Sequence, residues 1–221
     1  MKNKLLSGVF AVALAILILT TSIGLPIYFR PFYYMHINPL DIPARTGMDY
    51  ETVKEGYDAV LDYLTLPGKE FSTGEFPHSE EGYDHFKDCK ALFNLNVIML
   101  FISLTALITL YILNRKKVFS LCRPYGMHIS FAVSTWLLAI FAAIALIVSI
   151  NFSKAFEVFH TLFFPGKDNW IFDSRKDMII RALPQEFFRN CAILIVSSIL
   201  IQTITMIAVN LSLRQKRNSK L

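Results

Sequence analysis

Carboxylates are absent from more than half of this chain. None of the 17 Asp and Glu residues falls in 1–27, 91–150 or 192–221. Within those stretches lie four apolar runs without a charge of either sign: roughly Leu5–Ile27, Ala91–Leu113, Ile129–Ile150 and Ala192–Leu213. Each reaches the ~20 residues that a membrane-crossing helix needs. A soluble helical bundle would show a polar face on each helix, and these runs show none. The uncharged interiors also argue against an ion or proton pathway through the bilayer. Cysteine is scarce. Three residues build no disulfide framework, and they leave open a single Cys89–Cys191 bridge, which requires close, correctly aimed β-carbons. The nine glycines are scattered, so neither a G-x-S-x-G nucleophile turn nor a Gly-rich phosphate loop occurs.

What is present is apolar residues, 54% of the chain, and lysine and arginine with a marked bias in position. With four spans, the N-terminus, Asn114–His128 and the tail from Arg214 share one side. They carry Lys2, Lys4, Arg115, Lys116, Lys117, Arg123, Arg214, Lys216, Arg217 and Lys220. The positive-inside rule makes that side cytoplasmic, so both termini are expected inside. The net charge of +5 then reflects short basic segments facing anionic lipid, and no nucleic-acid partner is expected. The first run follows Lys2 and Lys4 as a signal peptide would. It is longer than a typical h-region, and TTSIGLP offers no small-x-small cleavage site, so it reads as an uncleaved span. The expectation is an all-α polytopic membrane protein, a single membrane domain over 1–221, with four helices, N-in and C-in. The outer loops 28–90 and 151–191 are expected to form a small mixed extracytoplasmic cap.

The first outer loop carries six basic and twelve acidic residues. Its opening, PIYFRPFYYMHINP, reads as extended chain or strand at the membrane interface. Helical spacing of Tyr50, Val53, Tyr57, Val60, Leu61 and Leu64 predicts a helix over 49–64, ended by Leu66-Pro67-Gly68. Ser79-Glu80-Glu81 looks like a helix start, and nothing breaks the pattern from there through the second span. The second loop is expected to begin as a continuation of the third span, with Phe152, Phe156, Phe159 and Phe163 in a stripe and His160 beside it. Pro165-Gly166 turns the chain. Asp173 or Ser174 is the expected cap of a short helix through Arg181, and Pro184 suits the first turn of the helix entering the fourth span.

Two of the outer histidines stand at similar heights. His85 lies roughly 9 Å and His160 on the order of 14 Å beyond their apolar spans, if both continue as helix. Histidine titrates near neutrality, so a facing pair supplies both a base and an acid. Spacing alone equally suits two ordinary interfacial histidines, the stronger reading for His36 and His78. Asp88 shares a helix face with His85, and His85, Asp88 and His160 also have the chemistry of a metal site, although an H-x-x-D pair is common by chance. Cys89 neighbours His85, but a thiol at the membrane edge resists ionisation and makes a poor nucleophile.

The stretch S-E-E-G-Y-D-H-F-K-D-C-K at 79–90, the stretch F-E-V-F-H-T-L-F-F-P-G-K-D-N-W-I-F-D at 156–173 and P-Q-E-F-F at 184–188 are specific in combination. With four spans in this order, the chain resembles the lipoprotein intramolecular transacylase family (Lit) of Gram-positive bacteria over nearly its whole length. The family's first motif is closer to H-M-x-D-V-K; here His85, Asp88 and Lys90 match, with Phe86 and Cys89 in the apolar places. The resemblance implies an acyltransferase of the cell membrane. Its substrate would be the diacylated N-terminus of a lipoprotein, whose sn-2 acyl chain moves to the cysteine's own α-amine and leaves a lyso-form product. It implies His85 and His160 as catalytic, with Asp88, Asn169, Trp170 and Asp173 in support, membrane lipid as surroundings, and neither cofactor nor metal. The rival from another class is a non-enzymatic four-span accessory or sensor protein with an outer interaction domain.

Overall fold

The computed structural model describes residues 1–219. Among these the chain forms nine α-helices and no strand. They are α1 (Lys2–Tyr28), α2 (Pro31–Ile37), α3 (Ile42–Thr46), α4 (Tyr50–Thr65), α5 (Glu80–Arg115), α6 (Ile129–Ile150), α7 (Phe152–Phe163), α8 (Ile179–Ala182) and α9 (Gln185–Asn218). Helices α1, α5, α6 and α9 are long and apolar enough to cross a membrane.

The chain divides into two compact units. The first comprises Met1–Ile23, Asn96–Ile147 and the stretch from Ile195 onward. Its core is small: Leu14, Ile18, Leu137 and Ile199. Its buried polar residues are all hydroxyls, Ser7, Thr20, Ser22, Ser103, Ser134 and Thr203. The Gln202 amide donates to Ser22 Oγ at 3.0 Å and to Ser198 Oγ at 3.1 Å, tying α1 to α9. Small hydroxyl residues let apolar helices approach closely where no hydrophobic force drives them together.

The second unit comprises Gly24–Leu95 and Val148–Leu194. Its core is aromatic and aliphatic, built on α2, α4, α8 and the first turns of α5 and α9. Tyr33 is fully buried; its ring stacks on Tyr57 with centroids 3.8 Å apart, and its hydroxyl donates to the Ala182 carbonyl at 2.8 Å. Arg30 pairs with both Asp58 and Asp62 on α4.

Three local expectations need correction. The segment after Tyr28 is helical, not extended, so the outer segments carry no strand among the described residues. Pro31 sits in the first turn of α2, where its missing N–H costs nothing, and Tyr33 and Ile37 bury one helical face. The third span does not run on to His160. Asn151 takes an extended conformation and its side chain accepts from Lys154 N at 2.9 Å, so it ends α6 and caps a separate α7. Neither Asp173 nor Ser174 caps the short helix, which begins only at Ile179. The other starts agree with the reading: Asp49 caps α4, accepting from Thr52 N at 2.8 Å, and Ser79 caps α5, accepting from Gly82 N at 3.0 Å.

Candidate active site

The first turns of α5 carry His85, Asp88 and Cys89, and α7 carries His160 in its last turns. The α5 terminus is anchored from the second loop. Asp177, 3% exposed, accepts from the backbone N–H of Ser79 at 2.8 Å and engages its hydroxyl, placing a carboxylate on the positive end of the helix. Gly82 makes that approach possible, because a β-carbon there would stand 2.3 Å from Asp177 Oδ1. After α7, Phe164 N closes on the His160 carbonyl at 2.8 Å, and Gly166, with φ of +73°, turns the chain. The loop that follows brings Lys167, Asn169, Trp170 and Phe172 back over α5 and α7.

The two imidazoles face each other with ring centroids 5.9 Å apart. Both are buried, His85 to 6% and His160 to 8% exposure. His160 stacks on Trp170 at 4.5 Å and lies 4.2 Å from the Phe156 ring. His85 meets Phe164 at 5.0 Å and Phe172 at 5.4 Å, both nearly edge-on. The pair thus sits in an aromatic enclosure that restricts each ring's rotation and keeps the local dielectric low.

Hydrogen bonds set the ring tautomers. His160 Nδ1 lies 2.7 Å from the Phe156 carbonyl, which can only accept; the proton is therefore assigned to Nδ1, and Nε2 keeps its lone pair. His85 is held less directly. Asp88 makes no bond to it; the carboxylate accepts from Lys167 Nζ at 2.6 and 2.7 Å and from Asn169 Nδ2 at 3.1 Å. An ionised carboxylate accepts only, so it turns the amide nitrogen of Asn169 toward itself and leaves Oδ1 outward. Asn169 Oδ1 and His85 Nδ1 are both buried without a hydrogen-bond partner among the described residues, and the Asn169 side chain acts on the His85 ring. A proton on His85 Nδ1 directed at that oxygen satisfies both. Cys89 Sγ lies 3.4 Å from His85 Nε2, where its S–H donates to the same tautomer's lone pair.

Burial pushes the His85 pKa down to about 4; nearby His160 adds to the fall, while Asp88 and the Asn169 hydrogen bond oppose it. Burial also lowers His160, against the Phe156 carbonyl. Both rings are therefore neutral at pH 7. Burial works to raise Asp88, yet its bonds from Lys167 and Asn169 hold it below the ordinary carboxylate range. The Cys89 thiol is pushed up to about 12, first by burial and then by Asp88, which leaves no thiolate for nucleophilic attack.

The sequence-derived residues divide accordingly. His85, His160, Asn169 and Trp170 come together, and Asp88 joins through Asn169. Asp173 does not; its carboxylate is turned to the backbone and guanidinium of Arg175, which hold it down to about 2. His36 leans on the Phe32 carbonyl and His78 on Thr73, each outside the pair. With Asp88 committed to Lys167 and Asn169, the His85–Asp88–His160 metal set is not formed among the described residues. All three cysteines are unbridged, Cys89 and Cys191 included. Sequence reasoning missed Lys167, Asp177, Phe164 and Phe172. Phe164, Lys167 and Phe172 lie inside the quoted 156–173 motif, but no local spacing links them to α5.

A family model described as lipoprotein intramolecular transacylase Lit matches residues 8–188. An in meso structure of the membrane integral lipoprotein intramolecular transacylase Lit from Bacillus cereus is similar in fold, with a TM-score of 0.88 and 26% identity over 99% of this chain and 98% of that one. Structures of the H85R and H85A variants of the B. cereus protein have TM-scores of 0.81 and 0.80, also at 26% identity. They cover 100% and 99% of this chain and 95% and 96% of theirs. No curated protein matches.

Proposed function

Because the chain belongs to the lipoprotein intramolecular transacylase (Lit) family, and is thereby a membrane acyltransferase, we propose that His85 and His160 carry out its intramolecular acyl transfer. The substrate is a lipoprotein N-terminus whose cysteine bears a diacylglyceryl thioether and a free α-amine. The sn-2 acyl chain moves to that amine, and the product is the N-acyl, S-monoacylglyceryl form. The observation that carries this reading is the pair of neutral imidazoles 5.9 Å apart in an aromatic enclosure.

The α-amine arrives largely as ammonium, since its pKa is about 8. It gives one proton to His160 Nε2. The neutral nitrogen attacks the ester carbon, an N–C bond forms, and its second proton passes to His85 Nε2 as the Cys89 S–H turns off that lone pair. As the tetrahedral centre collapses, the C–O bond breaks and His160 returns its proton to the departing glycerol oxygen. His85 then releases its proton to solvent, which balances the reaction. Two imidazolium rings at this separation repel each other, so gain at His85 is coupled to loss at His160. Asp88, acting through Asn169, favours positive charge on His85 during the transfer and keeps its proton-bearing nitrogen aimed away from substrate. A low resting pKa suits His85, because the nitrogen it deprotonates becomes acidic once attached to the ester carbon. Nucleophile and ester belong to one molecule, so much of the proximity effect is already present.

The partition of charge supports an N-in, C-in arrangement, with segments 28–90 and 151–191, which hold every carboxylate of the chain, forming an extracytoplasmic cap that holds the histidines. Its negative charge attracts the substrate ammonium. Family membership leaves the non-enzymatic accessory reading without support. The test is expression in a cell whose lipoproteins remain diacylated, followed by mass spectrometry of their N-terminal peptides. Lyso-form peptides are expected; unchanged diacyl peptides beside well-expressed protein would refute the reading. For the relay, Asn169→Ala should lower the rate about tenfold or more, the worth of a hydrogen bond to a charged group. It should also move the His85 ¹⁵N signals away from a pure Nδ1–H tautomer; an unmoved tautomer removes Asn169 from the mechanism.

A further inference from the structure

Within the first unit, three arginines converge on one cavity of ≈ 550 Å³. Arg123 comes from the turn before α6, and Arg214 and Arg217 from the last turns of α9. No acid exists anywhere in that unit's sequence to neutralise them. Their visible partners are neutral: Arg217 Nη2 donates to the Gly126 carbonyl at 3.2 Å, and Arg214 Nη1 lies 3.6 Å from Met127 Sδ. The floor is polar too. Asn210 Nδ2 donates to Ser130 Oγ at 3.1 Å, and His128 Nδ1 lies 2.9 Å from the same oxygen.

The remaining wall is apolar. Met206, Val209 and Leu213 line the cavity at helical spacing along α9, so a basic end passes into a greasy flank within one site. The turn beside it holds Tyr125 at a φ of +54° and 97% exposed, an aromatic ring thrown outward beside the basic end as in the belts of membrane interfaces. A soluble phosphate would need the arginines but has no use for the apolar wall. A lipid phosphodiester with its acyl chain matches both halves, and the volume lies within the ~300–1,000 Å³ of ligand sites. Guanidinium forks suit phosphate oxygens geometrically as well as by charge.

We propose that this cavity binds one anionic membrane phospholipid, its phosphate among Arg123, Arg214 and Arg217 and one acyl chain along Met206, Val209 and Leu213. The site is separate from the histidine pair and does not depend on the acyl-transfer reading.

The experiment uses the full chain in detergent, titrated with phosphatidylglycerol, with phosphatidylcholine of the same acyl chains, and with inorganic phosphate. Binding is read by native mass spectrometry and thermal shift. Phosphatidylglycerol should bind at least about tenfold more tightly than phosphatidylcholine, the preference expected of several cationic contacts. The double variant Arg123→Gln/Arg217→Gln should lose about 25-fold, roughly fivefold per arginine. Lys116→Gln/Lys117→Gln removes the same charge and should leave affinity within about twofold, because neither lysine lines the cavity. Val209→Trp fills the apolar wall with every arginine in place and should also abolish binding. Equal losses in the two double variants would reduce the effect to general surface charge and overturn the proposal. So would unaltered binding in Val209→Trp, equal affinity for the two lipids, or inorganic phosphate stabilising as strongly as phosphatidylglycerol.

Discussion

The first unit contains no carboxylate, and the second contains all 17. The contrast extends to what each one buries. In the first unit the buried polar groups are serine and threonine hydroxyls, bonded within or between apolar helices. In the second they include a carboxylate, Asp177, and two imidazoles, His85 and His160, which aromatic rings enclose. Hydroxyls satisfy themselves on the helix backbone and tolerate a surrounding of hydrocarbon. Ionisable groups need partners from other elements, and only the second unit, with its short helices and returning loop, supplies them. The same apolar amino acids therefore serve two purposes: a surface in one unit, and an enclosure that tunes basicity in the other.

The sharpest way to break this contrast is at the imidazoles. His85→Ala and His160→Ala should each lower lyso-form production by about 10²–10⁴-fold, the range of general acid–base catalysis, with protein level unchanged. N-terminal peptide mass spectrometry reads this directly; full activity in either variant removes that histidine from the reaction. Next is acid stability. The folded pKa of His85 lies below its unfolded value, so its contribution is complete above pH 6.5 and is lost as pH falls toward 4. That loss is roughly 3 kcal/mol at most, and thermal unfolding should show it shrink in His85→Asn. A profile with the same acid limb in that variant would assign the limb to other groups. Gly82→Ala forces a methyl against Asp177 and should cost about 1–3 kcal/mol in unfolding experiments, with activity falling as α5 shifts. The smallest change belongs to the first unit: Ser22→Ala should cost about 0.6 kcal/mol and leave catalysis intact. A loss there as large as that of Gly82→Ala would mean that hydroxyl packing matters more than the contrast allows.

The four long helices were legible because uncharged runs of that length have few alternatives in water or lipid. The start of α4 was legible from the helical spacing of its apolar residues, and that of α5 because Ser79 is a strong capping residue followed by two acids. Two of the three local failures have a local cause. A proline and aromatic cluster was read as extended, yet Pro31 is compatible with a helix at its first turn. Asn151 was passed over inside a continuous apolar pattern, although asparagine is among the best N-caps. The histidine pair was visible as two residues of like height, and the motifs around them supplied the family. Asp88 was assigned the right neighbourhood but the wrong partner, because i, i+3 spacing says nothing about a lysine and an asparagine arriving from a loop some eighty residues away.

By itself the sequence determined how much chain can lie in a membrane and where charge collects, since these depend on composition and on the cost of burying charge. It also determined the family, through motifs written in consecutive residues. Only the tertiary structure decided the 5.9 Å between His85 and His160, the bond that joins Asp88 to Asn169, and the grip of Asp177 on the α5 terminus. Those depend on where the chain returns to itself after Gly166, and the direction of a returning loop is set by long-range packing that no local pattern encodes.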